Sequence, residues 1–197
     1  MLSRANLWSL EEYSERRSTF RTEVLAHKKN RQVMLGGHIA LIFEDELTIR
    51  YQIQEMLRIE KVYESAGIQD ELDAYNPLIP DGDNWKCTML IQYNDVDERK
   101  RRLAQLIGVE DKVWIQVGEQ DKSFAICDED MDRTTEDKTS AVHFMRYPLT
   151  SAQVSAAQQG AVITIGVDHS GFPCEPEVLS DAVRQSLVAD LASTPIS

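Results

Sequence analysis

Residues 43–80 carry the densest set of polar side chains able to bind a ligand or a metal. A carboxylate can serve as an acid, a base or a metal ligand, and arginine, tyrosine and amide groups can orient it through hydrogen bonds. We treat these side chains as one candidate binding cluster. Its members are Glu44, Tyr51, Gln52, Glu55, Arg58, Glu60, Glu71, Tyr75 and Asn76.

The spacing of apolar residues predicts that most of this cluster lies on a long helix. Ile49, Ile53, Met56, Leu57 and Ile59 recur at the spacing of a helix face that packs into a core. Gln52 and Glu60 lie on a row at the border of that face, and a buried Glu60 would need a partner. Two interpretations therefore stay open: a structural helix with a solvated polar face, or a polar cluster that holds a ligand or metal.

The neighbouring residues of this stretch predict how the cluster is supported. Glu55 and Arg58 are spaced for an i, i+3 ion pair, which contributes about 0.2–0.5 kcal/mol on an exposed helix surface. Gly67 separates the long helix from a second one, and two prolines stiffen residues 77–80. We expect this loop to form a rigid wall beside the cluster.

Asp168 and His169 form a second candidate site at the end of an apolar predicted strand, a position where active sites often occur in sheets. Imidazole and carboxylate groups bind divalent metals, so a divalent metal is the cofactor we consider. The candidate ligands are His169, Asp168 and Glu71. None of the four histidines has a glutamate three residues before it, which argues against a di-iron helical bundle.

Composition predicts one globular domain over residues 1–197, with 42% hydrophobic and 27% charged residues. The net charge of −12 disfavours general nucleic-acid binding. No apolar run is long enough for a membrane span, and the N-terminus lacks an apolar signal-peptide core, so we expect a cytoplasmic protein. Three scattered cysteines do not indicate a disulfide framework.

The order of apolar and turn-forming segments predicts an α+β fold. Ser9 and Glu12 form a capping-box pattern that starts a basic N-terminal helix within residues 1–31. A Gly-Gly pair at residues 36–37 predicts a hairpin. We expect a mainly antiparallel sheet of about five to seven strands covered by long helices. Residues 128–138 are predicted to be a mobile acidic surface loop.

The runs FEDELTIRYQIQEMLRIEKVYE and DELDAYNPLIP, followed by His169 in a Val-Asp-His-x-Gly-Phe setting, resemble an uncharacterised bacterial family. It is catalogued as domain of unknown function three-five-zero-one. The resemblance covers most of the chain and implies no established activity. Its members are often encoded beside rubrerythrin-like and iron–sulfur oxidoreductase genes, which implies a redox or oxidative-stress setting and a redox protein partner.

Three functional hypotheses follow from these observations. The first is a non-enzymatic accessory or ligand-binding protein that works beside a redox system. The second is a metal-dependent enzyme that uses a cluster of glutamate and histidine side chains. The third is a purely structural interaction protein, which would expose an apolar patch. A homo-oligomer formed through the first or last helix is compatible with each of them.

Overall fold

The computed structural model describes residues 1–192, which form six α-helices and nine β-strands; the last five residues of the predicted domain lie outside the described residues. The helices are α1 Leu10–Lys28, α2 Glu46–Glu60, α3 Ser65–Tyr75, α4 Val96–Gln105, α5 Ser151–Gln158 and α6 Asp181–Val188. The strands are β1 Gln32–Leu35, β2 Ile39–Phe43, β3 Asn84–Ile91, β4 Val113–Val117, β5 Ser123–Phe124, β6 Ile126–Cys127, β7 Val142–Pro148, β8 Ile163–Val167 and β9 Glu177–Val178.

The strands form two antiparallel sheets that share one hydrophobic core. The first sheet has the order β1-β2-β3-β7-β6, and the second has the order β5-β4-β8-β9. Leu41 and Met89 of the first sheet belong to the same buried cluster as Ile115 and Ile165 of the second. The predicted α+β class with antiparallel strands is confirmed. The strand count was underestimated because β5, β6 and β9 have two residues each, too few to show a periodicity.

Strand alternation gives the first sheet a second, more polar face. Trp85, Cys87 and Met89 of β3 point into the shared core and are almost fully buried. Lys86 and Thr88 lie between them in sequence and therefore point to the opposite side. That opposite side faces the layer formed by helices α1 to α3.

The helices of this layer pack mainly against one another. Ile49, Ile53 and Leu57 of α2 form a buried cluster with Leu72 of α3 and Leu2 near the N-terminus. Three residues of the predicted apolar face of α2 are thus used in helix–helix contacts. The prediction was wrong for Ile59, which lies near the end of the helix and is 60% exposed. The flank of α2 that faces the sheet carries other side chains, and a cleft lies there. No helix among residues 1–192 is long and apolar enough to span a membrane.

Local capping fixes where the helices of this layer begin. Ser9 and Glu12 make the predicted capping box, with α1 starting at Leu10. Asp45 caps α2 by accepting a hydrogen bond from the Thr48 backbone N–H at 2.9 Å. Helix α2 ends at Glu60, and the left-handed backbone of Lys61 (φ 56°) turns the chain toward α3. The break between the two helices therefore lies before Ser65, and Gly67, where it was predicted, is inside α3.

Candidate ligand-binding cleft

A cleft of about 730 Å³ lies between helices α2 and α3 and the outer face of the first sheet. Its volume falls within the range of small-molecule sites, roughly 300–1,000 Å³. Six acidic and three basic side chains line it together with several apolar ones. The cleft therefore combines an apolar interior with an excess of negative charge.

The helical wall of the cleft carries part of the cluster predicted from sequence. Met56 and Glu60 line it from α2, while Glu71 and Tyr75 line it from α3. Residues 77–78 continue this wall as a short 3₁₀ turn that contains Pro77. Glu60 lies one helical turn after Met56, so the helix period places both on the side that faces the sheet.

The two glutamates of this wall are not engaged by the protein. Within residues 1–192, neither Glu60 nor Glu71 makes a side-chain hydrogen bond or an ion pair. Partial burial raises the pKa of Glu71, and the nearby carboxylates of Glu60 and Asp70 raise it further. The wall thus presents two carboxylates whose mutual repulsion a bound cation would relieve.

The floor of the cleft comes from the first sheet. Lys86 of β3 is 8% exposed and donates hydrogen bonds to the Ile79 carbonyl at 2.9 Å and to Asp81 at 2.8 Å. Phe144 and Arg146 of β7 lie beside it, on the same face of the strand. The lysine is therefore already neutralised, and Phe144 supplies an apolar surface.

The third wall is the start of the acidic loop, residues 128–138. Glu129 accepts two hydrogen bonds from Arg146, at 2.8 and 2.9 Å, which also lower the pKa of Glu129. Arg133 binds Asp130 at 2.5 and 2.6 Å and places its guanidinium 4.6 Å from the centre of the Phe144 ring. Both arginines of the cleft are thus paired with acids of the loop. Whether the loop is mobile stays a prediction.

A smaller chamber of about 280 Å³ adjoins the cleft and shares Tyr75, Leu78 and Phe144 with it. Glu44 and Gln52 of the predicted cluster line this chamber. Glu44 is 8% exposed and accepts hydrogen bonds from the hydroxyls of Thr48 (2.6 Å) and Thr88 (2.7 Å). Five members of the predicted cluster therefore lie along one continuous groove: Glu44, Gln52, Glu60, Glu71 and Tyr75.

The remaining members of the cluster have other positions. Tyr51 packs against Phe20, and Glu55 accepts hydrogen bonds from Tyr13 (2.5 Å) and Arg17 on α1. The predicted pair of Glu55 with Arg58 is present at 3.2 Å. These residues join α2 to α1, on the side of α2 away from the cleft.

Asn76 lies next to the cleft wall but holds the N-terminus. Its side chain accepts from the Leu2 N–H at 2.8 Å and donates to the Leu2 carbonyl at 2.9 Å. Both polar ends of this amide are used, so Asn76 supports the wall formed by the following turn. Asn76 thus helps to hold the wall in place, whereas the neighbouring Tyr75 lines the cleft itself.

The proposed metal ligands are not brought together. Asp168 accepts hydrogen bonds from Trp114 (2.8 Å) and Lys122 (2.9 Å), whereas Glu71 lies on the helical wall of the cleft. The ring of His169 is within hydrogen-bonding distance of the Ile107 carbonyl (3.2 Å) and the Gly171 N–H (3.1 Å). Among residues 1–192, no group of three or more histidine, cysteine or acidic side chains has the geometry of a metal site.

Sequence reasoning missed the sheet residues of the cleft and a buried network behind it. His143 is fully buried and lies 2.5 Å from Asp128 and 2.8 Å from Thr139. Thr139 also donates to the buried Glu110 at 3.0 Å. This network attaches the acidic loop to the core. The alternation of polar and apolar residues along β3 and β7 was the available signal for the sheet face.

The three thiols are held in their protonated form. Burial raises the pKa of Cys87 and of Cys127, and nearby acids raise that of Cys127 further. Burial and the neighbouring Glu177 raise the pKa of the half-buried Cys174. Because the thiolate is the reactive form, these cysteines are poorly suited to thiol redox chemistry at neutral pH.

With this geometry in place, comparison with known proteins identifies the family. The model of the family described as "Protein of unknown function (DUF3501)" matches residues 1–191. The chain belongs to this family. It is also similar to a crystal structure described as a novel protein of unknown function from Burkholderia pseudomallei K96243, with 46% identity and a TM-score of 0.93. The match covers 97% of this chain and 99% of that one. No match was found among curated proteins.

Proposed function

We propose that this protein binds a small organic cation with an apolar body in the cleft between α2, α3 and the first sheet. The proposal rests on which charged side chains of the cleft have an ion-pair partner and which do not. Lys86, Arg133 and Arg146 are each paired with an acid, whereas Glu60 and Glu71 have no partner within residues 1–192. The charged groups without a partner are therefore carboxylates, which favours a positively charged ligand.

Burial supports the choice of a cation. A carboxylate in a partly apolar setting loses hydration, and a second carboxylate beside it adds repulsion. Glu71 is half-buried, so a bound ammonium group would relieve both effects there; at the exposed Glu60 it would relieve only the repulsion. An anionic ligand would instead have to displace Glu129 from Arg146 or Asp130 from Arg133, and so break charge-assisted hydrogen bonds.

The apolar lining supports the choice of an apolar body. Met56, Tyr75 and Phe144 line the cleft between its charged walls. Methionine adapts its shape to a ligand, and aromatic rings attract cations that approach their faces. An arylalkylamine, with an aromatic ring and a protonated amine, combines the features that this cleft would recognise.

We further infer an accessory role beside a redox system. The support for this step is the resemblance to a family whose members are often encoded near rubrerythrin-like and iron–sulfur oxidoreductase genes. The raised pKa values of the three thiols favour an accessory protein over a thiol redox catalyst. A redox protein would then be the partner that uses the bound cation or responds to its binding.

The direct test is a titration of the protein with phenethylamine, in which heteronuclear NMR at pH 7.5 and low salt measures the binding. We expect chemical-shift changes at residues 56, 75 and 144 and a dissociation constant in the millimolar range or below. Glu71→Gln and Glu60→Gln should each weaken binding about fivefold, because each removes one carboxylate from the ammonium site.

The matched control is Asp70→Asn, which removes the same charge from an exposed position one residue before Glu71. It should change the affinity less than about twofold. Phenylacetate, with the opposite charge on a similar body, should bind more weakly than phenethylamine. Tighter binding of phenylacetate, or no shift changes at the cleft with either compound, would remove the proposal.

A further inference from the structure

The smaller chamber beside the cleft contains polar groups that the proposed amine site does not use. Glu44 is nine-tenths buried, and its carboxylate is held by hydroxyl donors from Thr48 and Thr88. Arg31 donates a hydrogen bond to the backbone carbonyl of Glu44 and not to its side chain. Within residues 1–192, no cationic side chain lies within ion-pair distance of the Glu44 carboxylate. A carboxylate can accept about four hydrogen bonds, so positions remain for a ligand.

Two further groups of this chamber are also available. Lys28 near the end of α1 and Gln52 on α2 line it, and both are half-buried. Neither side chain makes a hydrogen bond or an ion pair within residues 1–192. The chamber therefore offers an acceptor at Glu44, a donor at Lys28 and an amide at Gln52 that can do both.

We propose that this chamber is a second recognition point for the ligand and takes an uncharged group that both donates and accepts hydrogen bonds, such as a primary carboxamide. The inference rests on the proposed function of the cleft. A second ammonium group would face Lys28, and a carboxylate group would face Glu44. An apolar end would leave Lys28 without a partner and would cover the remaining acceptor positions of Glu44 without filling them, which costs free energy in a partly dry site.

The two recognition points are placed for one elongated molecule. Tyr75, Leu78 and Phe144 line both the chamber and the cleft. On α2, Gln52 and Glu60 are eight residues apart in sequence, which corresponds to about 12 Å along a helix. The ligand class is thus an amine at one end, an apolar segment across Tyr75 and Phe144, and an amide at the other end.

The test compares four linear compounds of equal length: an alkylamine, the ω-amino primary amide, the diamine and the ω-amino carboxylate. Each of the four compounds is tested at several chain lengths, shorter and longer than the distance between the two recognition points. Dissociation constants are measured by NMR titration on the full chain. We expect the amino amide to bind about fivefold tighter than the alkylamine at its best length, and tighter than the diamine and the amino carboxylate.

Variants of the chamber test whether the tighter binding of the amino amide arises there. Glu44→Gln and Lys28→Met should remove most of the fivefold gain from the amide while changing the affinity for the alkylamine less than twofold. Lys28→Met keeps the test valid if Glu44→Gln disturbs folding, because Lys28 is half-buried at the end of α1. Lys29→Met, an exposed position next to it, should leave the gain intact.

The outcomes separate this inference from the proposed function. If the alkylamine binds but the amide adds nothing, or the diamine or the amino carboxylate binds tightest, the second recognition point is overturned and the cation-binding cleft stands. If the amide gain survives in Lys28→Met and Glu44→Gln, the chamber is not where the amide binds. If none of the four compounds binds at the cleft but phenethylamine does, this inference is overturned and the cation-binding cleft stands; if phenethylamine does not bind either, both proposals fail.

Discussion

Glu55 on α2 accepts two hydrogen bonds from the guanidinium of Arg17 on α1, at 2.7 and 2.9 Å. This pair divides the polar cluster of the long helix into two sets with different roles. Glu55 belongs to the contact between the helices, while Glu60, five residues later, belongs to the cleft. The side of α2 on which a polar residue lies thus decides whether it can meet a ligand.

Loss of the Glu55 carboxylate should destabilise the helix layer. Glu55→Gln is expected to lower the free energy of unfolding by about 1–2 kcal/mol at pH 7, because the carboxylate that accepts two hydrogen bonds from the Arg17 guanidinium is replaced by a neutral amide with one acceptor oxygen. Urea denaturation measures the change. Arg58→Ala, which removes the weaker and more exposed partner, should cost less than about 0.5 kcal/mol.

The same contact should make stability depend on acid. Hydrogen bonds from Arg17, with those from Tyr13 and Arg58, lower the pKa of Glu55 from 4.5 to about 2. A folded-state pKa below the unfolded value means that the contribution is present above pH 4.5 and is lost as the pH falls toward 2. The difference in stability between the wild-type protein and Glu55→Gln should therefore shrink over this window. A constant difference would contradict the assignment.

Cation binding in the cleft should weaken in mild acid. The pKa of Glu71 is raised by burial and by the carboxylates of Glu60 and Asp70, so Glu71 becomes neutral at a higher pH than an ordinary glutamate. Phenethylamine stays protonated over this range, so the pH dependence reports on the protein. Affinity measured from pH 8 downward should fall as Glu71 takes up a proton. Glu71→Gln should show a flatter profile, and equal profiles would argue against this role.

The pair of Glu129 with Arg146 should hold the loop wall of the cleft. Glu129→Gln is expected to speed hydrogen exchange of the amides of residues 129–133 about threefold or more, with a change in global stability below about 1 kcal/mol, since the pair is partly exposed. Glu119→Gln, in the exposed turn after β4, is the control. Unchanged exchange would contradict this role and leave the wall to the contacts of Asp128 with His143 and of Arg133 with Asp130.

Loss of the buried Arg31 side chain should strongly lower the free energy of unfolding, although the residue lies next to a turn. It is 1% exposed and donates to the carbonyls of Phe43 and Glu44 and to Asp190. Arg31→Met is expected to cost about 3–5 kcal/mol, because Asp190 would be left with an uncompensated buried charge. Lys29→Met, an exposed basic residue of the same turn, should change stability by less than about 0.5 kcal/mol.

His169 should not bind a metal. Its ring makes local contacts with Ile107 and Gly171, and Asp168 is bound by Trp114 and Lys122. Elemental analysis of untagged protein purified without added metal should give the same substoichiometric content for the wild-type protein and for His169→Gln. About one equivalent of metal that is lost in His169→Gln would restore the metal-dependent hypothesis.

The sequence by itself determined the local elements. Capping residues marked the start of α1, and the Gly-Gly pair marked the hairpin between β1 and β2, because these signals act over a few residues. The apolar face of α2 and the i, i+3 pair of Glu55 with Arg58 were predictable for the same reason. Strands of two residues left no periodic signal, so the division into two sheets was not predictable.

Only the tertiary structure decided which polar residues share a site. Helical periodicity places Gln52 and Glu60 on one row, but it cannot say that the row faces a sheet carrying Lys86 and Phe144. That neighbourhood arises because the apolar face of α2 is buried against α3 and the N-terminus, which leaves its other flank over the sheet. The same long-range packing separates Asp168 and His169 from Glu71, since contacts between distant segments depend on the whole fold and not on local spacing.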